Sequence, residues 1–366
     1  LSELRESLSP YYSHTGRPSI DPEVMLRMLI VGYCYGIRSE RRLCEQVHLN
    51  LAYRWFCRLG LEGKVPDHST FSENRHGRFR ESDAFRQLFE SVLRRCMAEG
   101  LVGGEGFAVD ANLVKADASH QREHDDDDHW GGGHAVREYL QALDKGEAQV
   151  GASGRRISPT DPAASYTAAQ RAKGIYAYST NYLVDTDHGI IVDVEATTAN
   201  RSREVESTKT MVERVEQRFG ILPKRLIGDT AYGTAPMLNW IVEHKHIEPH
   251  TPVWEKAKRQ DGCFTRSDFT WEAEADRYIC PAGKPLLRYR RRFSKPRTGI
   301  PKDDILRYRA TKRDCEGCEY KPRCCPKTPQ RKVSRSMYES SRDVARAIAE
   351  TDAYQQTQND RKKVEM

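Results

Sequence analysis

Apolar residues recur at three- and four-residue intervals through residues 21–100, the spacing that places them on one face of a helix. "DPEVMLRMLIVGYCYG" opens with Asp21 as a cap and Pro22 at the first helical position, and its periodicity ends near Gly36. "SERRLCEQVHLNLAYRWFCRLG" predicts two shorter helices between a Ser39 cap and a Gly60 stop. "PDHSTFSENRHGRF" predicts another, capped by Asp67 or Ser69, and residues 82–99 a longer amphipathic one. Short helices joined by tight turns fit a helix-turn-helix module, and they also fit an ordinary bundle; periodicity does not separate the two. The basic and polar side chains Arg75, His76, Arg78 and Arg80 favour the DNA-reading option, with Arg75 and Arg78 as expected contacts.

Beyond residue 100 the texture changes. "EGFAVDANLVKADAS" predicts a strand ending at Asp110, and "IYAYSTNYLVDTDHGIIVDVEATTAN" predicts two strands around an Asp187-His188-Gly189 turn. A helix is expected from Arg203 to Phe219, then a short strand in "KRLIGDTAYG" ending at Asp229, a helix in "TAPMLNWIVEHKH" and a strand in "IEPHTPV". An antiparallel start followed by alternating helix and strand predicts an α/β fold, a mixed sheet with flanking helices. Residues 120–174 read as a loop, and their "HDDDDHWGGGH" run reads more simply as a solvated segment than as a metal site. The expected domains are helical at 1–100, the first part of the sheet domain at 101–253, a basic Cys-rich insertion at 254–335, and the sheet domain's final helix at 336–366.

Charge sharpens the picture. The chain is 38% apolar and 31% charged, polar but apolar enough to fold, with a formal net charge of only +6. Between Arg277 and Arg335, however, 19 Lys or Arg face 5 Asp or Glu. So dense a basic block is the footprint of a phosphate-binding surface, and the run Arg290, Arg291 and Arg292 is its expected DNA contact. No apolar run approaches the ~18 residues of a membrane helix, and "LSELRESLSP" has neither an apolar signal core nor a starting Met. The expected location is the cytoplasm.

Ten cysteines without a secretion signal argue against a disulfide framework. Cys34, Cys44, Cys57 and Cys96 lie singly in apolar helical patterns, where a cysteine acts as a small buried hydrophobe. Cys280 in "YICPAGKPL" and Cys315, Cys318, Cys324 and Cys325 in "DCEGCEYKPRCCP" are clustered. The Cys315-x-x-Cys318 spacing suits a tetrahedral metal, so Cys280, Cys315, Cys318 and Cys324 are the expected ligands of a structural Zn²⁺. Reduced structural thiols are the alternative.

Asp110 and Asp229 each fall at the end of a predicted strand, where open α/β sheets bind ligands. Carboxylates there can hold a pair of hard cations such as Mg²⁺. Taken singly, either Asp is equally an ordinary turn residue. The words around them add to this. "VDANLVKADAS", "TTANRSREVES", "GDTAYG" and the terminal "RKKVE" occur in order, after "PSIDPEVMLRMLIVGYCYG" and "VPDHSTFSENR". Together, from about Arg17 to Met366, they resemble bacterial insertion-sequence transposases of the DDE class.

The resemblance implies a ribonuclease-H-like catalytic domain in which Asp110, Asp229 and Glu365 bind Mg²⁺ or Mn²⁺. The family's last motif reads Tyr, two residues, Arg, three residues, Glu, then Lys six further on. Arg361 and Glu365 fit it, Gln358 stands at the Tyr position, and the Lys position lies past Met366. Arg361 is then a phosphate contact. The implied activity is hydrolysis at transposon ends followed by strand transfer. The implied partners are double-stranded DNA (terminal inverted repeats and target) and a second copy in a homodimer, at the bacterial nucleoid. With Glu365 penultimate, a truncated and weakly active form is expected. The rival readings are an inactive, transposase-derived DNA-binding protein and a general Mg²⁺ nuclease.

Overall fold

The computed structural model describes residues 6, 8–12, 19–77, 79, 82–118, 158, 160–167, 174–254, 262–289 and 304–362. The chain divides into two compact units, Leu1–Leu101 and Val102–Met366. The first contains helices α1 (Pro22–Cys34), α2 (Glu40–Leu49), α3 (Leu51–Phe56), α4 (His68–His76) and α5 (Ala84–Ala98). Side chains at their starts take up backbone N–H groups that no helical carbonyl can reach: Asp21 accepts from Glu23, Ser39 from Arg42, Asn50 from Ala52 and Asp67 from Ser69. Asp67, not Ser69, is thus the cap of α4. The third helix stops at Cys57 rather than Gly60, because Arg58 turns left-handed and the Arg54 guanidinium gathers the carbonyls of Gly60, Leu61 and Gly63 into a loop.

Met25, Met28, Leu43, Val47 and Phe71 form the heart of this unit's core. Cys44 and Cys57 are buried beside them, and burial pushes each thiol up to about 11, which leaves both unreactive. Cys34, expected to be buried, is exposed at the end of α1, and Cys96 is half-buried.

The second unit is built on β1 (Gly106–Lys115), β2 (Ser165–Thr167), β3 (Ile175–Asp185), β4 (Ile191–Thr198), β5 (Arg225–Ile227) and β6 (Glu248–His250). The sheet order is β2-β3-β1-β5-β6, with β4 also pairing β3. The pairs β1–β3 and β3–β4 are antiparallel, and β1–β5 and β5–β6 are parallel. The β3–β4 turn is tied down by the buried Asp185 carboxylate, which accepts from the N–H groups of Asp187 and His188. Strand β2 falls in a stretch expected to be loop; three residues are too few to show an alternating pattern. Helix α6 (Arg201–Phe219) follows β4, capped by Asn200, and α7 (Ala235–Asn239) continues into a π turn at Trp240–His244.

The Cys-bearing segment folds as an antiparallel meander, β7 (Thr270–Glu272), β8 (Arg277–Ile279), β9 (Pro285–Arg288), β10 (Ile305–Arg309) and β11 (Lys332–Ser336). Between β10 and β11 lie the short helices α8 (Lys312–Glu316) and α9 (Lys321–Cys324). Its small core joins Phe269, Tyr278, Leu286, Tyr308 and Val333 to three of the cysteines.

The remainder was expected as one helix but forms two, α10 (Glu339–Ala349) and α11 (Asp352–Lys362). Thr351 makes the break: its hydroxyl accepts the Tyr354 N–H at 3.3 Å and donates to the Ile348 carbonyl at 2.6 Å. Helix α11 docks on β6, where the Thr357 hydroxyl meets His250 Nδ1 at 2.8 Å and the Tyr354 ring stacks on the imidazole at 5.9 Å. Burial holds His250 below its ordinary pKa despite the Glu248 carboxylate nearby, so a neutral ring receives the helix. No helix among the described residues is long and apolar enough to cross a membrane.

Candidate active site

Asp110 does not end β1, which continues five residues further to Lys115. Pairing explains why. The antiparallel ladder with β3 runs from Phe107 to Lys115, whereas the parallel ladder with β5 stops at Ala108 opposite Ile227. Past that point one edge of β1 is open, and the strand passes from buried residues to exposed ones. Continuing the register two residues on from Ala108 and Ile227 brings Asp110 level with Asp229. The carboxylates, 119 residues apart in sequence, therefore stand at the fork where β1 and β5 part.

Asp229 lies two residues beyond the last residue of β5 and caps the single 3-10 turn Thr230–Gly233. Its Oδ1 accepts the Ala231 N–H at 2.7 Å, and its Oδ2 faces Arg201 Nη2 at 3.3 Å. Asp229 is thus an ordinary turn cap with a second contact: one oxygen fixes the local backbone and the other points toward the exposed Arg201 guanidinium.

Tyr232, from the same turn, is buried close to the two aspartates. Its phenol is raised above the ordinary tyrosine value by burial first, and then by the charges of Asp229, Glu204 and Asp110 in that order. Three carboxylates thus act on one hydroxyl, which gathers hard oxygen donors in one place. Glu204, in the first turn of α6, accepts the hydroxyl proton of buried Ser179 at 2.7 Å. Arg201 and Glu204 lie within "TTANRSREVES", where the sequence pattern alone singles out no side chain. The available signal was a cap residue, Asn200, opening a helix with charged residues in its first turn.

The turn tolerates no side chain at Gly233. A Cβ there would lie 1.8 Å from the Pro252 carbonyl oxygen, which is backbone and cannot turn aside. The Trp254 N–H donates to the Gly233 carbonyl at 2.9 Å, so the two segments are pressed together. Gly233→Ala is expected to cost about 2–3 kcal/mol by overpacking. Its effect is measurable as a lowered denaturant midpoint; an unchanged midpoint would show that the segments can separate freely.

Arg361, on α11, acts on the Tyr354 phenol. Arg75 is held by Glu40 at 2.9 Å, so much of its charge is already met within the helical unit. Glu365, Arg78, Arg290, Arg291, Arg292 and the "HDDDDH" run fall outside the described residues. Cys280, Cys315, Cys318, Cys324 and Cys325 line one small cavity in the meander. Among the described residues no group of three or more His, Cys, Asp or Glu side chains is placed so that it could hold a metal ion as it stands.

Two families match the chain: the one described as "Transposase domain (DUF772)" over residues 1–77, and the one described as "Transposase DDE domain" over residues 103–342. Among solved structures, "Mos1 transposase paired-end complex with left transposon end" is 13% identical, with 65% of this chain and 61% of that chain covered and a TM-score of 0.20. "Crystal structure of the Mos1 mariner paired end complex with Mn" is 12% identical over the same shares, with a TM-score of 0.19. The chain spans less than two thirds of either, and superpositions this loose give no residue correspondence.

Proposed function

The chain belongs to the family of the transposase DDE domain, and we propose that it is a DNA transposase that cuts phosphodiester bonds at the ends of its element and joins them to target DNA. The observation that carries this reading is that Asp110 and Asp229 each lie two residues past the last β1–β5 pair, Ala108 opposite Ile227, with both charges acting on the Tyr232 hydroxyl. The strand order, with β1, β3 and β4 antiparallel neighbours, β5 and β6 parallel to β1, and the short β2 added at the edge, supports a ribonuclease-H-like domain.

In this reading Asp110, Asp229 and Glu365 hold Mg²⁺ or Mn²⁺. The fit is chemical: the groups around Tyr232 are hard oxygen donors, and the one that Arg201 pairs with, Asp229, is itself half-exposed. Two bound divalent ions supply a more acidic attacking water and a stabilised leaving oxygen. The chain's own residues do the positioning. Asp229 is fixed through Ala231, and Asp110 by the β1–β3 ladder, so neither carboxylate needs to be ordered when substrate arrives. Arg201, 70% exposed and paired with Asp229, can turn to a scissile phosphate when that carboxylate takes up a cation. Arg361 is proposed as a second phosphate contact, and the basic meander as a grip on the DNA backbone. Water first releases a 3′-hydroxyl, which then attacks the target; no Ser or Tyr nucleophile is required. A second copy on the paired end completes the assembly.

The test uses labelled duplexes from both ends of the encoding element, incubated with the chain and Mg²⁺ or Mn²⁺. Cleavage at the element boundary and joined products are expected. Tight DNA binding with no cutting under either ion would instead favour the inactive DNA-binding protein, and cutting without joining a simple nuclease.

A further inference from the structure

Five thiols converge on one cavity of about 20 Å³ in the meander. Cys280 comes from the β8–β9 turn, Cys315 and Cys318 from α8 and the residues after it, and Cys324 and Cys325 from the end of α9. A space of that size holds one water or one ion. The thiols of Cys315 and Cys324 each hydrogen-bond that of Cys325.

Donors from outside the cluster also point at the sulfurs. The Lys284 N–H donates to Cys280 Sγ at 3.3 Å, and the Arg331 backbone N–H bonds Cys315. The first requires a specific turn: Gly283 is left-handed at φ +74 and donates to the Cys280 carbonyl at 2.8 Å, which swings Lys284 back over the sulfur. Amides aimed at sulfur are the outer shell that orients thiolate ligands, and such bonds gain most when the acceptor is charged. Charge complementarity agrees. Lys284, Lys321 and Arg331 line the cavity against a single acid, Asp314, leaving two positive charges. A zinc ion bound by four thiolates carries two negative ones.

The meander also needs such a centre. Its strands are three to five residues long and its core holds few large side chains. Small cores of this kind are commonly completed by a metal or a cross-link.

We propose that Cys280, Cys315, Cys318 and one thiol of the adjacent Cys324–Cys325 pair bind one structural Zn²⁺ ion. Four S–H protons pass to solvent as four S–Zn bonds form, with no change of oxidation state. No three of these thiols are placed to hold an ion as they stand, so binding requires the sulfurs to draw in around it. Four protein ligands leave no open position, so the ion holds the meander together and takes no part in DNA chemistry.

The test is elemental analysis of the full chain, purified under reducing conditions without chelator, combined with X-ray absorption at the zinc edge. About one zinc per chain with an all-sulfur shell near 2.3 Å is expected. A zinc-free chain, a shell containing nitrogen or oxygen, or a Cys315–Cys318 disulfide in its place would overturn the proposal. Cys280→Ser and Cys315→Ser should lose the metal, only one of Cys324→Ser and Cys325→Ser should do so, and Cys263→Ser, outside the cavity, should retain it. Retention by the Cys280→Ser and Cys315→Ser double variant would also overturn it. The wild-type measurements stand even if a variant fails to fold. A negative result leaves the transposase reading untouched, because Asp110 and Asp229 belong to the other sheet.

Discussion

Asp110→Asn and Asp229→Asn are each expected to lower cleavage and joining by more than about a hundredfold while DNA affinity changes little. The basis is charge, not shape. Asn keeps the volume of Asp and an oxygen able to accept a hydrogen bond, so the Asp229→Asn side chain can still cap the turn through Ala231. What it loses is the negative charge that would hold a divalent ion in place, and interactions realised only in the transition state fall on kcat rather than on binding. Gel-shift affinity and single-turnover cleavage, measured on the same element-end duplex, separate the two effects. Equal loss of binding and cutting would mean that these aspartates shape the DNA surface instead of the chemistry. Glu204→Gln adds a second comparison. Glu204 acts on the same Tyr232 hydroxyl as the aspartates, and Ser179 already engages it. Its loss is expected to be milder than that of Glu365→Gln. If Glu204→Gln is as inactive as Asp110→Asn and Glu365→Gln is not, the third carboxylate is on α6 rather than at the chain's end.

The helical unit was largely legible because four of its helices, α1 to α4, start with a side chain that bonds the helix's own first N–H groups. Asp21, Ser39 and Asp67 are local devices, visible within four residues. The main sheet was legible where strands are long or turn tightly, as in β3–β4. The fork at Asp110 was not, because the end of a ladder depends on its partner: β5 is only three residues long, and nothing within "GFAVDANLVK" records that. The same holds for Asp229. Its motif is readable, but its pairing with Arg201 and its level with Asp110 are products of the sheet register. In the meander, charge and cysteine spacing were visible while the strands were not, since three residues cannot show a period. Glu339 passed unnoticed for a related reason. Within "SMYESSRDVARAIAE" it reads as a first-turn acid on a surface helix, and only the fold encloses it.

That residue carries the largest expected stability effect. The Glu339 carboxylate is about 1% exposed and meets three guanidiniums: Arg266 at 2.7 Å, Arg346 at 2.9 Å and Arg342 at 3.1 Å. Arg266 belongs to the 3-10 turn before β7, while Arg342 and Arg346 lie on α10, so one buried charge ties the meander to the main sheet's helix. Removing it strands positive groups that are themselves mostly covered. Breaking a buried pair costs about 3–5 kcal/mol. The lower end is expected for Glu339→Ala, about 3 kcal/mol, because Arg266 and Arg346 are near one-third exposed and Arg346 keeps Asp343. The pH dependence follows from the direction of the shift. Burial alone would raise the Glu339 pKa, but Arg266 first, with Arg342 and Arg346, outweighs it, and the folded value falls below the ordinary 4.5. A lowered carboxylate stabilises the fold at every pH above its unfolded value, and that contribution fades as the pH falls through the folded value. Denaturant unfolding of wild type and Glu339→Gln should therefore differ by a constant amount from about pH 8 to about pH 5, and the gap should close below about pH 4 as the wild-type carboxylate protonates. A gap that stays open in acid would mean that shape rather than charge at position 339 holds the two parts together.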